Sequence, residues 1–94
     1  MKIPSEFKAY GTAIGSDQSI RLDEITLVAD AATIRLLGIF LLNTAYEMDE
    51  NDVQHIHLQD VAENFSYENH VDLIPHLPAR KSSSSDDAKP PGKL

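Results

Sequence analysis

Residues 30–49, DAATIRLLGIFLLNTAYEMD, form the only run of this chain long enough and apolar enough to be the main helix of a small domain. Asp30 is placed to offer its side-chain oxygen to the free amides of a first turn, and helix-tolerant Ala31 and Ala32 follow it. At 100° per residue, Ile34, Leu37, Leu41, Ala45 and Met48 share one stripe, which the spacing predicts to be the core face. Leu36, Ile39, Phe40 and Leu42 point away from that stripe, and residues 36–45 carry no charge. A helix apolar nearly all round is normally covered on more than one side. The uncharged stretch is too short for a bilayer, which needs about 20 residues, so strongly curved strands, a second copy or another protein must cover the rear face.

The flanking segments alternate at the shorter period of strands. Residues 3–14 read as a first strand, with Phe7 and Ala9 on one side and Pro4 confining its start to an edge or loop. Gly15-Ser16-Asp17-Gln18 supplies turn chemistry. Residues 19–29 read as a second strand whose apolar phase slips at Asp23-Glu24, predicting a bulge or break there. The close spacing makes the two an antiparallel hairpin. After the helix, residues 53–61 (VQHIHLQDV) alternate as a third strand, residues 62–69 are turn-like with Phe65 and Tyr67 as anchors, and 71–74 form a short fourth strand ended by Pro75 and Pro78. The expected fold is α+β: a four-stranded antiparallel sheet with one long helix on one face, in the order ββαββ. Residues 1–78 are expected to be one domain. Residues 79–94, ARKSSSSDDAKPPGKL, hold Leu94 as their one large apolar side chain and are expected to be a disordered tail.

Charge narrows the choice of partners. Residues 1–78 hold four bases against thirteen acids, a net of −9, while the last sixteen residues carry +2. So acidic a domain repels nucleic-acid phosphates and suits a basic protein partner. No cysteine is present, so there is no disulfide framework and no thiolate chemistry. The first residues lack the apolar run of a signal peptide, and no segment is long enough to span a membrane; cytoplasmic residence is the expectation.

Candidate chemistry is sparse. On a third strand, Ile56 and Leu58 would face the helix while His55, His57 and Gln59 face outward. Two histidines at i and i+2 suit a metal only with a third ligand such as His70, His76 or Asp60, and no HExxH or Cys/His spacing is present. A protein-binding face is the preferred reading, with no metal and no other cofactor. Glu47, Asp49, Glu50 and Asp52 crowd the helix C-terminus, where the macrodipole favours cations, so their charge is available for a partner, with amphipathic Tyr46 beside them. Neither a nucleophile turn with Ser-His-Asp order nor a phosphate-cradling glycine loop is visible, so an enzyme is not expected.

The segment DEITLVADAATIRLLGIFLLNTAYEM, followed by HIHLQD and VDLIPHLP, resembles a family of bacterial polymorphic-toxin immunity proteins, immunity protein family 32. The likeness covers about residues 19–78 and is most specific at His55, His57, Leu58, Gln59 and Asp60. Ile56 stands where the family pattern leads one to expect an acid, and Leu77-Pro78 where it closes on Asn-Pro. The resemblance implies a small cytoplasmic protein that binds and neutralises a cognate toxin. Its expected contact residues are His55, His57, Gln59 and Asp60, together with Tyr46, Glu47, Asp49, Glu50 and Asp52. The alternative is a homodimeric structural or adaptor protein with Leu36, Ile39, Phe40 and Leu42 as its seam.

Overall fold

The computed structural model describes residues 1–79. Its dominant element is the helix α1, Ala31–Glu50, which begins as the sequence predicts. Asp30 is the N-cap, with extended backbone, and its Oδ1 accepts from the Thr33 amide at 2.9 Å. Hydrogen bonds from the Thr33 side chain and then from that amide hold the Asp30 carboxyl below its ordinary value of 3.8. The far end is less comfortable. The Glu47 carbonyl accepts from Asn51 N at 2.9 Å and Val53 N at 3.4 Å, and Asp52 reverses the chain with a φ of +60°. Glycine usually takes that left-handed position.

Burial on α1 does not follow the predicted stripe. Phe40 (8% exposed) and Thr44 (1%) are its buried residues, flanked by half-buried Leu37, Glu47 and Met48. Leu37 and Met48 are shared with the predicted stripe, but the covered face is turned roughly 90° from the line of its other members, Ile34, Leu41 and Ala45, at 100° per residue. Ile34 and Leu41 are exposed instead. Because residues 36–45 are apolar on every side, periodicity alone does not select an azimuth. The return of the chain after Asp52 selects it, placing residues 56–64 across from Phe40 and Thr44.

The expected four-stranded sheet is not formed. Among the described residues there is one two-stranded antiparallel sheet, β1 (Ala9–Gly11) with β2 (Ile20–Leu22), in the register Ala9↔Leu22, Tyr10↔Arg21, Gly11↔Ile20. The first strand, expected over residues 3–14, shrinks to Ala9–Gly11, and the second, expected over 19–29, stops where Asp23-Glu24 interrupts the alternation. Between them a turn closes from Ser16 N to Ala13 O at 3.0 Å, with Gly15 at a φ of +84° that a Cβ would strain.

The third and fourth strands are replaced by a thinner pairing. His55 bridges His76 in antiparallel fashion, and a single register carries three bonds: Leu77 N to Gln54 O at 2.9 Å, Ile56 N to Pro75 O at 3.4 Å, and Leu58 N to Leu73 O at 3.0 Å. In that register the pairs Ile56–Pro75 and His57–Ile74 would each need an amide at position 75, and proline has none. From Leu58 the chain coils into the four-residue helix α2, Leu58–Val61, instead of continuing extended. A long helix, a short hairpin and a singly bridged return therefore make up an α+β-like arrangement. No helix among the described residues is long and apolar enough to cross a membrane. The tail expected over 79–94 lies, apart from Ala79, outside the described residues.

Candidate functional site

Two features stand out around the return segment: a clamp built on Asp72 and a groove beside α1. The clamp explains how α2 is held. Its N-cap, His57, makes no side-chain capping bond to the helix. Asp72 does so from across the bridge, accepting from Gln59 N at 2.9 Å through Oδ1 and meeting His57 Nδ1 at 2.6 Å through Oδ2. An ionised carboxylate only accepts, so this contact places the proton on His57 Nδ1 and leaves Nε2 as the other ring nitrogen. The Asp72 side chain is 11% exposed and that of His57 37%, so the pair sits at the edge of the packed region. Gln59 is held a second time, its Oε1 accepting from the Tyr67 hydroxyl, and Tyr67 packs edge-on against Phe65 at 5.0 Å.

The imidazoles gather but do not converge. His55 and His76 stack face to face, centroids 5.0 Å apart and planes within 4°, as expected where a bridge lacks direct bonds between the paired residues and brings their side chains close. His57 meets His55 edge-on at 5.4 Å. His76 Nδ1 is engaged with the Leu77 carbonyl at 2.7 Å, and His70 Nδ1 accepts from Ser66 N at 3.0 Å. Parallel rings aim their nitrogens side by side and not at one point. Among the described residues no group of three or more histidines and acids is arranged to hold a metal ion.

Beside the clamp lies an open groove of about 700 Å³. Its α1 wall is Leu36, Ile39, Phe40, Asn43, Thr44 and Glu47; Ile56, Leu58 and Val61 stand opposite, and Glu63 and Asn64 add polar groups. The Thr44 hydroxyl is buried there without a hydrogen-bond partner. Every charged residue lining the groove is acidic.

These features divide the residues expected to bind a partner. His55 and His57 come together with His76, while Gln59 and Asp60 sit on a helical turn and not on a strand face. Asp60 is exposed, and its amide donates to the His57 carbonyl at 3.0 Å. Of the helix-end residues, Glu47 enters the groove wall and accepts from Asn51 Nδ2 at 2.8 Å, whereas Tyr46, Asp49, Glu50 and Asp52 are exposed outside it. The proposed seam also separates. Phe40 is covered, Leu36 and Ile39 line the groove, and Leu42 stands 73% exposed elsewhere on α1. The sequence reading missed Asp72 and Glu63. Asp72 was detectable as the lone acid inside the apolar run Val71-Asp72-Leu73-Ile74, opposite histidine-bearing chain once 53–61 and 71–74 are paired.

Comparison with family models, with curated proteins and with solved structures finds no match for this chain.

Proposed function

We propose that this protein binds and neutralises a cognate bacterial toxin by occluding its surface, without catalysis. One observation carries the reading: an acidic chain leaves much of its apolar surface uncovered, including Leu36, Ile39 and Leu42 on its main helix and a groove whose charged lining is acidic. Monomeric soluble proteins rarely keep contiguous apolar patches of this kind unless a partner covers them. The net −9 of residues 1–78 favours a basic partner and speeds its encounter. The resemblance of residues 19–78 to immunity protein family 32 gives the partner its class. A cytoplasmic site of action accompanies this reading.

Co-expression with the neighbouring open reading frame tests it. Growth arrest by that product alone, relieved by this chain, with co-purification of the two folded proteins, is the expected result. A toxic neighbour that this folded chain neither binds nor relieves would remove the proposal. A homodimer is the second reading, favoured by the exposure of Leu36, Ile39 and Leu42, with Phe40 no longer part of the seam. Light scattering separates the two in part, because a monomer at high concentration eliminates the dimer.

A further inference from the structure

The groove carries more than a general stickiness. Its six α1 residues are two complete i, i+4 rows, Leu36–Phe40–Thr44 and Ile39–Asn43–Glu47. Phe40 and Thr44 lie covered at the floor of the groove, while Leu36, Ile39 and Asn43 stay exposed at its side, and rows of this spacing receive the ridge of a second helix at a crossing angle of about −50°. Resting on the binding-protein reading above, we propose that the groove receives an amphipathic helix of the partner, with leucine-like anchors at i, i+3/i+4 and i+7 and lysine or arginine along its flank.

Four observations select this occupant. The groove is lined by side chains, and the backbone of its far wall is engaged elsewhere, Ile56 N and Leu58 N bonding Pro75 O and Leu73 O. An added strand therefore finds no free ladder there, whereas a helix brings its backbone already paired. From Leu36 to Glu47 the α1 wall runs eleven residues, about 16 Å at 1.5 Å per residue, which accommodates the width of a helix crossing it obliquely, about 10–12 Å. The wall changes from Leu36, Ile39 and Phe40 to Asn43, Thr44 and Glu47 along its length, so the visitor's apolar end and its cationic end are told apart. Glu47 and Glu63 are the charges lining the groove, so a second copy would bring its own net −7 to them, and residues 80–94 offer only Leu94 as an anchor.

The test uses the full chain and three synthetic 16-residue peptides: a Leu/Lys amphipathic helix, the same composition scrambled to destroy the apolar stripe, and a Leu/Glu version. Fluorescence anisotropy is expected to show the Leu/Lys helix binding at least tenfold more tightly than either control. Ile39→Asp should weaken it tenfold or more, and Ile34→Asp, outside the groove, less than twofold. Glu63→Lys should weaken the Leu/Lys helix and strengthen the Leu/Glu peptide. Because Glu63 is exposed, that variant keeps the test decisive if Ile39→Asp unfolds. Equal binding of the scrambled peptide, or indifference to both groove substitutions, overturns the proposal. So does concentration-dependent dimerisation that Ile39→Asp abolishes, since the occupant is then a second copy. The two proposals fail separately. A neighbouring gene product held equally by the parent and the Ile39→Asp chain sinks the groove alone, and a bound Leu/Lys helix with an ignored toxic neighbour sinks the toxin reading alone.

Discussion

The segments on either side of α1 both carry apolar residues and differ in how much of them is covered. Before the helix, Phe7, Ile14, Ile20, Ile25, Leu27 and Val28 all remain exposed, although β1 and β2 are a regular antiparallel pair. After it, Val61, Tyr67 and Val71 stay exposed, but Ile56, Leu58, Phe65, Leu73 and Ile74 are half-buried, although the pairing there is a single bridge. Regular backbone pairing is therefore not what buries side chains in this protein. The C-terminal return is pinned by side chains, Asp72 to His57 and Gln59, Tyr67 to Gln59, and it returns across the α1 face that holds Phe40. An isolated two-stranded hairpin is marginal in water without a third layer.

The sharpest way to break this contrast is to truncate one aromatic on each side. Phe40→Ala should cost about 3 kcal/mol and release the return segment, while Phe7→Ala should change stability by less than about 0.5 kcal/mol, both read from urea melts. Equal losses would mean that the hairpin packs as firmly as the return. Next in size, Asp72→Ala leaves His57 Nδ1 and the Gln59 amide without their acceptor and should cost about 1–2 kcal/mol. Amide exchange at Gln59 should rise with it and exchange in β1 should not. Thr44→Val replaces an unpaired buried hydroxyl with a methyl of the same shape and should raise stability by about 1 kcal/mol. A loss of similar size would reveal a partner for that hydroxyl.

The smallest effect belongs to the start of α1. The Asp30 carboxyl lies below its unfolded value, so the folded state binds its proton less readily. Its contribution is then fully present above the unfolded value of 3.8 and fades as the pH falls through the lower folded one. Helicity at 222 nm should drop over that acidic window in the parent chain, and Asp30→Asn should remove this component of the pH dependence. An unchanged acid limb in the variant would assign the loss to other carboxylates.

Much of the local structure was legible without coordinates. The Asp30 cap, the helix over residues 31–50, the hairpin order of the first two strands and the interruption at Asp23-Glu24 all follow from local rules about caps, periods and breakers. Sheet size was not legible, because alternation over residues 53–61 and 71–74 is satisfied by extended chain whether or not a ladder closes. Pro75 carries the warning: it ends extended chain, and its missing amide also denies Ile56 a reciprocal bond. The candidate site was legible as composition, acids and histidines around one helix end, but Asp72 and Glu63 lie in other segments and only the return of the chain brings them there.

The sequence by itself determined the long helix, its cap, the acidity of the chain and the excess of apolar surface that α1 must offer to something, because each depends on residues near one another in the chain. The tertiary structure alone decided which side of α1 is covered. With apolar residues all round the helix, that choice rests on where Asp52 turns the chain and where Asp72 pins it, and on the groove left between them.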